Sequence, residues 1–118
     1  MKTAALLGLI ESTGENVLVL TESLSDADFK RSRLTRASVK LQLVHLARSV
    51  TALPPELRRV MTEIDWDGWI RVGRSAAQDS VEGDDSAWFA VRSLVPATLS
   101  WLRIYRQQEP QWFAYSPP

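Results

Sequence analysis

The residues best placed to do chemistry lie between Glu63 and Asp85, in the stretch EIDWDGWIRVGRSAAQDSVEGDD. Arg71 and Arg74, with Arg58 and Arg59 before this stretch, could form a basic patch. The stretch has the rhythm of a helix that carries an RNA-cutting or nucleotide-accepting site, yet it contains neither the His nor the Tyr that such a site needs. Its ionisable side chains are arginines and carboxylates, and a carboxylate is negatively charged at neutral pH and would repel the phosphate of RNA.

Other kinds of catalytic or metal site lack the partner residues that they need. His45 is the only His, and on a helix of Leu and Val we interpret it as a residue at the edge of the core. Ser75 and Ser80 have no His nearby in sequence, and no Gly-rich phosphate loop is present. One His and no Cys cannot close a zinc site, so we expect no metal and no cofactor.

The composition limits the partners. Lys plus Arg and Asp plus Glu each number 14, so the chain lacks the basic excess typical of proteins that hold nucleic acid through phosphate contacts. The apolar runs are too short to span a bilayer, and the N-terminus is predicted to be a helix rather than a signal peptide. We therefore expect a cytoplasmic protein that does not bind membranes.

Helical spacing dominates the 118 residues. The pattern predicts long or medium helices over residues 3–23, from Thr35 to the Pro54–Pro55 pair, over residues 66–78, and after a cap at Asp84 or Asp85. A short helix should begin at Pro55, and Ser25 with Asp28 should cap another segment. Pro96 should kink the last helix near Arg92.

Two apolar faces stand out. The second long helix carries two stripes, which predicts a central position with both stripes buried. One stripe contains Ala37, Leu41, Val44 and Arg48, and the other contains Val39, Leu43, Leu46 and Val50. On the last helix one face should bury Trp88 in the core together with Val91, Val95, Leu99, Leu102 and Tyr105.

These elements predict an all-α fold, an antiparallel up-and-down four-helix bundle with an extra short helix. The bundle should occupy residues 1–108. An irregular aromatic tail should occupy residues 109–118, and Trp112 and Phe113 could add buried surface in a dimer.

Three segments carry a resemblance to a known family: LSDADFKRSRLTRASVKLQLVHLARSV, LPPELRRVMTEIDW and AWFAVRSLVPATLSWL. In this order and spacing, the chain resembles the HepT-like branch of the HEPN superfamily over nearly its whole length. These are small helical proteins encoded beside minimal nucleotidyltransferases, many of them in toxin–antitoxin pairs. The resemblance implies a homodimer, a nucleotidyltransferase partner, and RNA or a nucleotide as ligand.

The family's active members carry an Arg, then a His, then a Tyr in the helix after the Trp. The Arg binds the scissile phosphate, the His acts as acid or base, and the Tyr accepts AMP from the partner. By this resemblance Arg74 matches the Arg, Asp79 stands at the His position and Val81 at the Tyr position. Shifting the register by one residue places Gln78 and Ser80 there and does not restore the motif.

Three hypotheses follow. The leading one is a catalytically degenerate HepT-like binding protein in which Arg71 and Arg74 contact nucleotide or RNA. The second is an active, metal-independent endoribonuclease toxin that uses Arg74 with Asp79, or His45, as a non-standard base. The third is a DinB-like helical bundle, because LVHLARS is similar to that group's His-bearing helix, although its further His ligands are absent.

The metal-free expectation has a direct test. Purified protein without an affinity tag should hold no stoichiometric zinc in elemental analysis, because its oxygen ligands suit only weakly bound hard cations. One zinc ion per chain would contradict this prediction.

Overall fold

The computed structural model describes residues 3–114, and every regular element in that range is helical. The predicted all-α class is therefore confirmed. The α-helices are α1 (Thr3–Thr21), α2 (Asp26–Arg31), α3 (Arg33–Thr51), α4 (Pro55–Val60), α5 (Trp66–Ser75), α6 (Val81–Phe89) and α7 (Val95–Gln108). A π-helical segment (Ala90–Leu94) joins α6 to α7, and a 3₁₀ turn (Pro110–Trp112) follows α7.

Local capping signals set several helix starts. The capping box at α2 is confirmed, because Ser25 and Asp28 each accept from the other's backbone N–H at 3.1 Å. Hydrogen bonding of the Asp28 carboxylate to Ser25, first to its backbone N–H and then to its side chain, lowers the pKa of Asp28. Helix α4 begins at Pro55 as predicted. Helix α3 begins earlier than predicted, because Ser32 accepts from the backbone N–H of Thr35 and acts as the cap.

The caps predicted for the last helix are wrong. Ser80, rather than Asp84 or Asp85, is the N-cap of α6, and its hydroxyl accepts from the N–H of Gly83 at 3.0 Å. Asp84 lies inside the first turn and forms ion pairs instead. A hydroxyl three residues before a backbone N–H is as good a cap as a carboxylate, and it leaves the carboxylate free to pair.

The π-helical segment lies where Pro96 was predicted to disturb the last helix. Helix α6, this segment and α7 follow one another without a break in helical backbone, and the N–H of Val95 donates to Ala90 O, five residues earlier. Proline has no N–H to give to the preceding turn, so a wider turn can accommodate the missing bond.

The helices surround one apolar core. Helix α1 packs against α3 and α7, and α5 packs against α3 and α6. Large, fully buried side chains come from several elements, among them Leu7, Ile10, Phe29, Leu43, Met61, Trp69 and Leu102. The described chain measures 46 × 25 × 25 Å along its principal axes.

Only one of the two predicted stripes of α3 enters this core. The stripe formed by Val39, Leu43, Leu46 and Val50 is buried, which confirms that part of the prediction. The other stripe faces outward, since Ala37 and Arg48 are exposed, Val44 is half-buried and Leu41 is 58% exposed. Helix α3 is therefore not enclosed on both sides.

Part of the predicted tail folds back on the bundle. The ring of Trp112 lies 6.2 Å from that of Tyr105, and the Arg106 guanidinium lies 4.6 Å from the centre of the Phe113 ring. Trp112 and Phe113 are therefore already half-buried within one chain. Tyr115 and the other residues from 115 to 118 lie outside the described residues.

Helix α1 has the length and composition of a membrane span, with 19 residues and a mean hydropathy of 1.2. A core helix of a soluble protein or a signal sequence meets the same criterion. Leu6, Leu7, Ile10 and Val17 of α1 are buried against the other helices, and 28% of its apolar 18-residue window is buried in the fold.

The tryptophans differ in depth. Trp69 is 1% exposed, and its indole N–H donates to the Thr98 hydroxyl at 3.0 Å. Trp88, which was predicted to lie in the core, is only half-buried and lies at the edge of the core. Its ring stacks on that of Phe29, with 4.9 Å between the ring centroids. Arg92 also covers the Trp88 ring, with 4.5 Å from its guanidinium carbon to the ring centre.

This difference predicts the order of two substitutions. Trp69→Ala should lower the free energy of unfolding by roughly 3–5 kcal/mol, because it leaves a large cavity and an unpaired buried hydroxyl. Trp88→Ala should cost roughly 1–2 kcal/mol, because part of the side chain already contacts water. Urea denaturation of both variants tests the order, and an equal or larger loss for Trp88→Ala would contradict the assigned core.

Candidate functional site

The turn between α5 and α6 holds the position at which a proton-transfer group was sought. Helix α5 ends at Ser75, α6 begins at Val81, and Asp79 lies exposed in the turn between them. A Cβ at Gly83 would collide with the carbonyl oxygen of Gln78, so only glycine lets α6 start this close to the turn. The turn is therefore closely packed against the first residues of α6.

An ion pair fastens this turn to α3. The Lys40 ammonium is 2.5 Å from a carboxylate oxygen of Asp84 and donates to the Gln78 carbonyl at 2.8 Å. The Nε of Arg36 is 3.8 Å from the other carboxylate oxygen of Asp84. Lys40 is among the buried residues, and its charge is balanced where it lies.

Asp79 lines a surface groove beside this ion pair. The groove has a cavity volume of about 430 Å³, within the range of small-molecule sites. We call it the cation groove, and it is lined by Arg33, Arg36, Ala37, Lys40, Leu41, Val44, Ala77 and Asp79. Three of its side chains are cationic and one is anionic, and since Lys40 and Arg36 are paired with Asp84, Arg33 is the cation of the groove that has no ion pair among the described residues.

The predicted phosphate-binding residues lie apart from this groove. Arg71 and Arg74 are exposed on α5, and neither is among the residues that line the cation groove. Arg74 contacts the turn through its backbone, since its carbonyl accepts from the Gln78 side chain at 3.4 Å. The structure therefore does not bring Arg74 and Asp79 together as lining residues of one cavity.

Sequence reasoning missed the cations that do line the groove. Arg33, Arg36 and Lys40 follow one another at steps of three and four in the segment KRSRLTRASVK, which places them along one face of α3. That spacing is a readable signal for a basic helix face. The pairing of Lys40 with Asp84, 44 residues away, is not readable from sequence.

The other candidate catalytic residues do not form a site. His45 is exposed on α3 and does not line the cation groove. The Ser75 hydroxyl donates to the Arg71 carbonyl at 2.9 Å and lies 2.6 Å from the Ser86 hydroxyl. Within residues 3–114, neither Ser75 nor Ser80 has a hydrogen bond to a His, and no group of three or more His, Asp or Glu could hold a metal ion.

Comparisons with models of known protein families, with curated proteins and with solved structures find no match to this chain.

The Lys40–Asp84 pair should be important for stability. Lys40→Met keeps most of the side-chain volume but leaves Asp84 and the Gln78 carbonyl without their donor, which should cost roughly 2–3 kcal/mol of unfolding free energy. Arg36 remains near Asp84 and keeps the loss below that of a fully buried pair. Chemical denaturation measures the change.

Lys30→Met is the matched control. Lys30 pairs with Asp85, the residue next to Asp84, at 2.9 Å, but both side chains are about half exposed. Exposed ion pairs contribute little, so this variant should unfold at nearly the same denaturant concentration as the wild type. If Lys40→Met and Lys30→Met lost similar amounts of unfolding free energy, burial would not be the reason that one ion pair stabilises the fold more than the other.

Proposed function

We propose that the protein is a binding protein with a HepT-like four-helix bundle that does not cleave RNA. One observation carries the proposal. Asp79 stands in the turn after α5, at the position where the resembling family has its His, and shares its groove with Arg33, Arg36 and Lys40. A carboxylate among cations contributes to charge balance and supplies no imidazole for acid–base chemistry.

The proposal is supported by what surrounds the groove. RNA cleavage needs a group that takes a proton from the 2′-hydroxyl near neutral pH, and His is the residue that ordinarily does so. The single His of the chain, His45, is exposed and does not line the groove. Val81, at the position of the family's Tyr, is the first residue of α6 and offers no hydroxyl.

The remaining expectations belong to the same proposal. The resemblance implies a homodimer that works in the cytoplasm with a nucleotidyltransferase partner, and a nucleotide or RNA could be held through Arg71 and Arg74. The alternative of an active ribonuclease needs Arg74 to act on one phosphate with Asp79 or with His45, and neither Arg74 nor His45 lines the groove of Asp79. A DinB-like function needs further His ligands that the sequence does not contain.

The absence of ribonuclease chemistry is testable. Wild-type protein incubated with single-stranded RNA should leave it intact in gel electrophoresis, because loss of a positioned acid–base group forfeits about 10²–10⁴-fold in rate. Asp79→His should gain cleavage if the position is that of the lost His, and this gain should disappear when Arg74→Ala is added.

Asp79→Asn is the matched control, because it removes the same charge without adding a titrating group. RNA cleavage by Asp79→Asn would show that removing the repulsion between the Asp79 carboxylate and the RNA phosphate is enough to restore cleavage without a titrating group. Cutting by the wild type that stops in Arg74→Ala or His45→Ala would overturn the proposal and identify an active enzyme.

A further inference from the structure

We infer that the surface between α3 and α5 docks an acidic amphipathic helix of a partner protein. This inference rests on the proposed binding function and specifies the chemistry of the partner.

The docking surface combines two neighbouring cavities along α3. The cation groove lies between α3 and the turn after α5, and a second cavity of about 290 Å³ lies between α3 and α5, with a lining that includes Val44, Ala47, Arg48, Ile70 and Gly73. Val44 lines both cavities, so they lie next to each other. Together they form the α3–α5 groove, which follows α3 from Arg33 to Thr51, about 27 Å at the helical rise. That length accommodates about five turns of a partner helix.

The floor of the α3–α5 groove is apolar and open to solvent. It contains the stripe of α3 that periodicity assigned to the interior, with Leu41 58% exposed and Leu34 beside it 85% exposed. A Cβ at Gly73 would lie 3.2 Å from the Ala47 Cβ, so the two helices approach closely and the groove stays shallow. An amphipathic helix that lays its apolar face into such a groove would cover these side chains.

The rim carries positive charge that the chain itself does not neutralise. Among residues 3–114, Arg33 at one end of the groove and Arg48 at the other form no ion pair, and the same holds for Arg71 and Arg74 on the neighbouring face of α5. The carboxylate of Asp84 is already bound by Lys40, which leaves Asp79 as the one carboxylate among the described residues that lines the groove against these arginines. Since the chain has equal numbers of acidic and basic residues, this face concentrates charge whose complement is acidic.

The same features favour a protein helix over a nucleic acid. Among residues 3–114, Trp69 is the only aromatic side chain that lines the α3–α5 groove, and it is buried with its N–H bonded to Thr98, so this ring is not available to stack on a base. Exposed leucines contribute nothing to binding a phosphate backbone. They would be covered by the apolar face of an amphipathic helix.

The charge also argues against a second copy of this chain as the occupant. A two-fold dimer through the groove would place the same surface on both sides of the contact. The rim of Arg33, Arg36 and Arg48 would then face an identical basic rim, and like charges brought together destabilise a contact.

The test uses the full-length protein and a fluorescein-labelled synthetic peptide of about 18 residues. Leucines at positions i, i+4, i+7 and i+11 form one face of this probe and glutamates form the other. Three comparison probes isolate its features: the same composition with scattered leucines, the same peptide with lysine for glutamate, and labelled oligouridine. Fluorescence anisotropy should show the acidic amphipathic peptide binding at least about tenfold more tightly than each of the others.

Variants locate the contact. Arg33→Glu, Arg48→Glu and Leu41→Asp should each weaken peptide binding about tenfold, because they reverse the rim charge or place a carboxylate on the floor. The matched controls Arg103→Glu on α7 and Val19→Asp on α1 alter an exposed arginine and an exposed aliphatic residue outside the groove, and both variants should bind the peptide as the wild type does. Thermal melts by circular dichroism confirm that each variant is folded.

Several results would overturn the inference. They are absence of peptide binding, binding that the groove variants leave unchanged, tighter binding of oligouridine, or a dimer in light scattering that Leu41→Asp dissociates. The RNA-cleavage assay tests the proposed function independently of the peptide-binding assay. RNA cleavage by the wild type would contradict the proposed function, whether or not the peptide binds.

Discussion

Lys40 joins α3 to the turn after α5 and to the first turn of α6 through a single ammonium group. Burying a lysine is costly unless its charge is balanced and its donors are satisfied. Here Asp84 provides the counter-charge and the Gln78 carbonyl provides an acceptor, so one side chain of α3 fixes both the turn after α5 and the first turn of α6. The close approach that Gly83 permits brings these two acceptors near each other. The position of Asp79, between them in sequence, follows from this contact.

This arrangement makes the local chemistry ionic. The turn after α5 is stabilised by the Lys40–Asp84 pair, and Asp79 in this turn borders the cation groove. The Lys40–Asp84 pair joins α3 to α6, and the other charged side chains nearby line the cation groove. The exposed face of α3 has the opposite character from the buried one, with leucines between arginines, which is a composition found at protein interfaces more than on inert surfaces.

Sequence reasoning succeeded where the determining signal is local. The capping box of Ser25 and Asp28 and the helix start at Pro55 depend on residues within one turn of each other, and the structure has both. It failed where the outcome depends on what packs nearby. Periodicity identified two stripes on α3 but could not tell that one of them has no helix covering it. Asp84 was assigned to a cap because its partner, Lys40, lies on another helix.

The π-helical segment at Ala90–Leu94 has a consequence for the phase of the last helix. A π turn contains one residue more than an α turn, and one residue corresponds to about 100° of rotation around the helix axis. The buried positions show this as two adjacent pairs, Ala90 with Val91 and Leu94 with Val95, between regions that bury residues singly. The extra residue therefore rotates the buried face of α7 relative to that of α6. As a result α6 packs against α5 and α2 while α7 packs against α1, although the two helices are continuous through the π-helical segment.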